Sequence, residues 1–150
     1  MTLVNGINHV AIMTTDLQRF IDFYVEVFEV EPLFREDTSA FRHAILRAGA
    51  SSWLHPVEVT GNSHGQAIAE MFARGHLDHI ALSAPSPEAF RIVRERLMAR
   101  GRSSGVVEDL GAFRAIWFND PDGMRGELTL ITDPTLREFH APRPVTDQTP

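Results

Sequence analysis

The chain has 150 residues, 43% of them hydrophobic and 23% charged, and a net charge of -6. This is the profile of an ordinary globular domain with no basic surplus for non-specific nucleic-acid binding. It contains no cysteine, which excludes disulfides, thiolate catalysis and Cys-type zinc sites and leaves His, Asp and Glu as the only strong metal ligands. No apolar run approaches the roughly 20 residues that a membrane span requires. The N-terminal MTLVNGINHV lacks a basic segment followed by an apolar core, so the expectation is a cytoplasmic chain with neither membrane nor nucleic acid as partner.

In chain order, INHVAIM (7–13) alternates with the period of a strand. Thr14, Thr15 and Asp16 then offer an N-cap, and Leu17, Phe20, Ile21, Tyr24 and Phe28 recur at helical spacing, with Pro32 beyond the end. Strands are predicted near Leu33 to Arg35, from Phe41 to Arg47 and from Trp53 to Val59, with AGAS turning between the last two. Pro56, which cannot donate to a ladder, predicts an edge position for the last of these strands.

Residues 61–76, GNSHGQAIAEMFARGH, read as a connector with a short helix around Ala67 to Ala73. DHIALS is a second strand of the opening type. The helix after it has Ser86 as N-cap, Pro87 in its first turn and Gly101 just past its end, with Phe90, Val93, Leu97 and Met98 as its buried stripe. A short strand at Val106 and Val107, a longer one from Phe113 to Phe118, the turn NDPDG and the strand GELTLI complete this half. Beyond Asp133 the chain is polar and proline-rich, and from about residue 141 no core structure is expected.

The two halves carry one phrase twice. EDTSAFR begins at Glu36 and EDLGAFR at Glu108, 72 positions later, with five of seven residues identical. INHVAIM and LDHIALS also correspond, with His9 and His79 70 positions apart. The chain therefore reads as two tandem βαβββ modules, 5–60 and 77–132, joined by the 61–76 connector and followed by the 133–150 tail. The predicted fold class is α+β, a single domain in which the modules form one curved, cleft-enclosing mixed sheet. The phrase itself reads as a duplicated structural corner, with Phe packed and the Arg and acids solvated.

Used as a ruler, the 72-residue offset places His55 on Glu127 and Glu58 on Leu130. Alternation puts His55 and Glu58 on opposite strand faces, so His55 is the better partner of Glu127. Four equivalent positions result: His9, His55, His79 and Glu127. If a pseudo-twofold axis relates the modules, these side chains can meet at one centre, and three imidazoles with one carboxylate suit Zn, Ni, Mn or Fe(II). His43, His64, His76 and His140 have no repeat partner and read as surface or loop histidines. Either Trp117 or Phe118 must face the cavity. Phe113 and Arg114 are further substrate-binding candidates, and an inward Arg suits an anionic substrate.

INHVAI before a helix containing FYVEVF, then LDHIAL, then FNDPDGMRGEL, in this order and spacing, resemble the vicinal oxygen chelate superfamily over about residues 5–132. That superfamily includes glyoxalase I, methylmalonyl-CoA epimerase, extradiol dioxygenases and the fosfomycin and bleomycin resistance proteins. The resemblance implies that His9, His79 and Glu127 hold one divalent metal ion per chain. It further implies that Glu127, as a carboxylate able to leave the metal, is the catalytic base. His55 stands at a position that varies in the family and departs from the glyoxalase I pattern. The implied activity is metal-dependent chemistry on a small oxygenated metabolite chelated through two oxygens, as a lyase, an isomerase or a ring-cleaving dioxygenase. The alternative is a metal-free binding protein of the bleomycin-resistance kind. Phe23 and Val27, off the main helical stripe, predict a subunit contact and a homodimer.

Overall fold

A computed structural model describes residues 3, 6–62 and 77–145. His64, His76 and the helix expected around Ala67 to Ala73 lie outside the described residues. The chain divides into two compact units, Met1–Gln66 and Ala67–Pro150.

The first unit runs β1 (His9–Met13), α1 (Leu17–Phe28), β2 (Glu31–Asp37), β3 (Phe41–Arg47) and β4 (Trp53–Val59). Asp16 starts α1 because its carboxylate accepts the Arg19 N–H at 3.0 Å, and Glu29 ends the helix in the left-handed region at φ 56°. The sheet order is β1-β4-β3-β2, with β1 and β4 parallel and the other pairs antiparallel. One face takes α1. Leu17, Phe20 and Tyr24 of the helix are fully buried, as are Ala44, Leu46 and Pro56 of the strands. Each large side chain so buried contributes about 1.5–3 kcal/mol. The opposite face carries His9, His43, Trp53 and His55.

The second unit runs β5 (Ile80–Ser83), α2 (Pro87–Ala99), β6 (Glu108–Gly111), β7 (Phe113–Asn119), β8 (Arg125–Ile131) and β9 (Phe139–Pro144). Ser86 caps α2 by accepting the Ala89 N–H at 3.1 Å. Its sheet order is β5-β8-β7-β6-β9, again with the first and last module strands parallel and adjacent. Phe90, Leu97, Ile116 and Leu128 fill the space between helix and sheet.

The βαβββ plan is thus present twice, but the expected single curved sheet enclosing a cleft is not. Among the described residues the strands form two separate mixed sheets, neither of which closes on itself. The first sheet ends at β2, which reads EPLFRED, has every residue exposed and pairs with β3, so it finishes as a charged edge.

Several local expectations are also corrected. β4 is internal, between β1 and β3, despite Pro56. Its ladder to β1 continues through Ile12 opposite Pro56, while pairing with β3 lapses between Leu54 and Val57. The missing N–H therefore interrupts one ladder without moving the strand to an edge. The short strand of the second half is Glu108–Gly111 and not Val106 and Val107. Met98 is 43% exposed, its side chain lying over Gly105, where an added Cβ would stand 2.2 Å from the Met98 sulfur. Phe23 and Val27 are buried within the chain, so they do not provide the exposed surface on which the homodimer was argued. The tail supplies β9, whose mostly exposed residues pair with β6.

Candidate functional site

His9 and His55 stand on neighbouring parallel strands with ring centroids 5.6 Å apart, edge to face. His9 Nδ1 is 2.8 Å from Asn8 Oδ1. With the amide oxygen accepting, the proton lies on Nδ1 and Nε2 keeps its lone pair. His55 Nε2 lies 2.9 Å from His43 Nδ1, and His43 Nε2 lies 2.9 Å from Glu36 Oε2. Burial first, and then the neighbouring His43 and His9, push the His55 pKa below the ordinary histidine value. This favours the neutral ring, the form in which histidine binds a metal.

The second module presents the corresponding pair. His79 Nδ1 is 2.8 Å from Asp78 Oδ1, so the carboxylate orients this ring as Asn8 orients His9. Its Nε2 stands 3.6 Å from Glu127 Oε2. Glu127 is only 5% exposed. Burial raises its pKa above the usual glutamate value, against the lowering effect of His79 and with a further rise from the Glu108 charge. Trp117 lies directly opposite Glu127 on β7, with its ring edge-on to His79 at 4.9 Å. The Trp117 indole N–H donates to Glu108 at 3.0 Å.

The registers of the two modules agree. Ala11 is opposite His55 in the β1–β4 ladder, and Ala81 is opposite Glu127 in the β5–β8 ladder. Glu58 is on the other face, where it accepts the Leu17 N–H at 2.7 Å and pairs with Arg42. These bonds, that of Arg42 first, hold its carboxyl below the usual glutamate range. Glu58 is occupied with anchoring α1.

Alternation on β7 separates the other candidates. Phe113 is opposite Ile131 and Trp117 opposite Glu127, on the face carrying the candidate ligands. Arg114 is opposite Leu130, on the helix face, and borders a hollow of about 570 Å³ lined also by Ser83, Ser86 and Thr132. His43 was read as a surface histidine, yet its side chain is only 19% exposed and it bridges Glu36 to His55. The signal for it was available: β3 and β4 are joined by a short turn, and two-residue alternation places His43 on the His55 face.

The four candidate positions thus fall into two pairs, each within its own module. Among the described residues, no group of three or more His, Asp or Glu side chains is arranged to hold a metal ion. No helix among them is long and apolar enough to cross a membrane.

The fold is shared with solved structures of low sequence identity. A glyoxylase/bleomycin resistance protein/dioxygenase domain from Frankia sp. superposes with a TM-score of 0.72 at 22% identity, covering 85% of this chain and 98% of that one. A glyoxalase family protein from Enterococcus faecalis gives 0.63 at 24% identity, covering 85% and 99%. A point mutant of the fosfomycin resistance protein FosX from Listeria monocytogenes, solved with Mn(II) and a dihydroxypropylphosphonic acid, gives 0.61 at 22% identity, covering 87% and 95%. No curated protein matches the sequence. The family model of the glyoxalase/bleomycin resistance protein/dioxygenase superfamily matches residues 6–128, and with the duplicated module described above this establishes that the chain belongs to that superfamily.

Proposed function

We propose that the chain is a metal-dependent enzyme of this superfamily, acting on a small oxygenated metabolite. His9, His55, His79 and Glu127 would hold one divalent ion of the Fe, Zn, Ni or Mn type. The observation that carries this reading is the buried Glu127 carboxylate beside His79. A carboxylate so enclosed costs several kcal/mol unless a cation or hydrogen-bond donors meet it. The donor set suits the ion: nitrogen and oxygen ligands, no thiol, and a 3.6 Å spacing of His79 Nε2 and Glu127 Oε2. Two donors each about 2.1 Å from one tetrahedral ion stand about 3.4 Å apart.

Bound there, such an ion would supply Lewis-acid stabilisation of negative charge on a substrate oxygen. The chain's own residues do the rest. Glu127, as a carboxylate able to leave the ion, would take a proton from carbon next to a carbonyl. Asn8 and Asp78, each at Nδ1 of its histidine, would leave Nε2 of the neutral His9 and His79 rings with a lone pair. Trp117 and Phe113 offer an apolar wall on the Glu127 face. The FosX structure, with Mn(II) and a dihydroxypropylphosphonic acid, supports a divalent ion together with a small oxygenated ligand.

The test is metal analysis of protein purified without oxygen, followed by screens for dioxygen uptake and for proton exchange on α-hydroxycarbonyl compounds. About one transition metal per chain is expected, lost in His9→Ala and in Glu127→Ala. Full retention in both variants would sink the reading. No metal in the wild type would favour the metal-free binding protein.

A further inference from the structure

Glu36 on β2, His43 on β3 and His55 on β4 form a hydrogen-bonded row across three adjacent strands, on the face away from α1. The contacts are 2.9 Å from Glu36 Oε2 to His43 Nε2 and 2.9 Å from His43 Nδ1 to His55 Nε2. An ionised carboxylate can only accept, so the proton of the first contact belongs to His43 Nε2. In a neutral His43 ring Nδ1 is then the acceptor, and the second proton must sit on His55 Nε2. His55 is left with one lone pair, on Nδ1. The opposite arrangement, a His43 imidazolium donating at both ends, would put the His55 proton on Nδ1 and leave that ring no free lone pair at all.

The second module repeats the device. Glu108 stands 72 positions after Glu36. It accepts the N–H of Trp117 at 3.0 Å, and that ring abuts His79. The registers correspond as well, with Glu36 opposite His43 and Glu108 opposite Ala115, also 72 positions apart. The residue that opens each copy of the repeated phrase therefore anchors a ring, and the ring touches a candidate ligand. The acids of this phrase read as solvated; Glu36 is indeed half-exposed, yet both it and Glu108 also accept a hydrogen bond from a ring N–H.

We propose that Glu36 and His43 are positioning residues for His55: acting in series, they fix its proton on Nε2 and present Nδ1 to the ion. His55 then differs from His9 and His79, which present Nε2. The inference rests on the reading of His55 as a ligand, but its first half, the tautomer, does not depend on metal.

The experiment is imidazole nitrogen NMR on labelled, metal-free protein at neutral pH, together with titration by Co(II) alone. The variants are Glu36→Ala, at a half-exposed side chain, and His43→Phe. The control is Asp37→Ala, where the neighbouring acid pairs with Arg35. Wild type and control should show His55 as the Nε2–H form. Both test variants should mix the tautomers and weaken Co(II) binding about 10-fold or more, the usual loss when a ligand's orienting partner is removed. Finding His55 protonated on Nδ1 in the wild type, or finding the Nε2–H form unchanged in His43→Phe, would overturn the proposal. The expected tautomers without any Co(II) binding to wild type would support the positioning role and overturn the metal reading instead.

Discussion

His55 and Glu58, three positions apart on β4, work on opposite faces of the first sheet: one ring lies beside His9, and the other side chain anchors the start of α1. Metal affinity should therefore fall at least about 10-fold in His55→Ala and stay nearly constant in Glu58→Gln, read by competition with a chromogenic chelator. Stability should show the converse. Glu58→Gln weakens the bonds to Arg42 and the Leu17 N–H and should cost about 1 kcal/mol in urea unfolding. Because the folded Glu58 pKa is lowered, its contribution is present above the ordinary glutamate pKa and is lost as pH falls through the folded value. Loss of metal in Glu58→Gln would mean that the face assignment is wrong.

Glu127 is expected to trade stability for function. In the metal-free protein its burial penalises the charge, so Glu127→Gln should leave the melting temperature unchanged or raise it by roughly 2–4 °C per kcal/mol relieved. Added Zn(II) should raise the melting temperature of the wild type and not that of the variant. A variant that melts lower without metal would show that Glu127 stabilises the apo fold.

Asp120 gives a pH signature of its own. Its Oδ1 accepts the Asp122 and Met124 N–H groups at 2.9 and 2.8 Å, while its buried Oδ2 has no hydrogen-bond partner. Burial raises its pKa to about 6, against an unfolded value of 3.8. The folded state thus binds the proton more tightly, and stability falls as pH rises from about 4 to about 6. At about 1.4 kcal/mol per unit, the charge costs the fold on the order of 3 kcal/mol at neutral pH. Asp120→Asn should remove this component, so its stability relative to wild type should improve between about pH 4 and about pH 7 in paired urea titrations. A constant difference would refute the assignment.

Gly126 precedes Glu127 and lies against the Phe118 ring, where an added Cβ would stand 2.2 Å from the nearest ring carbon. Gly126→Ala must displace a buried aromatic and should destabilise by about 1–3 kcal/mol. The same shift should disturb Glu127, so metal affinity is expected to fall along with the unfolding midpoint. An unchanged midpoint would mean that the core has room there.

What could be read from the sequence followed the strength of its periodicity. β1, α1, β4, α2, β7 and β8 have apolar residues on one regular face, and all were placed within a few residues. β6 was set two residues early because EDLG has no apolar alternation and pairs through its backbone. β9 was not anticipated for the same reason: FHAPRP is held by its ladder to β6 and buries little. In the site, the repeat offset set His55 at the position equivalent to Glu127, and the two have matching registers, opposite Ala11 and opposite Ala81. Alternation and the offset also predicted the separation of Glu58. Arg114 was chosen for its charge, without the alternation argument that separates it from Phe113 and Trp117. His43 had no counterpart in the second module, and a search by repeat partners passes over a residue that only one copy has.

The two copies finish their outer margins in different ways. β2 leaves its free side lined with exposed residues, Glu31, Pro32, Arg35 and Asp37 among them, whereas β6 is paired along its free side by β9. Charge and proline discourage a foreign strand from docking on the first margin, and a segment of the same polypeptide already sits on the second. Removing residues 138–150 would bare the backbone groups of Glu108 and Asp109 that now face Pro144 and Arg143. A shortened chain of this kind should self-associate in a concentration-dependent manner, and sedimentation showing it no more associated than the full chain would refute this.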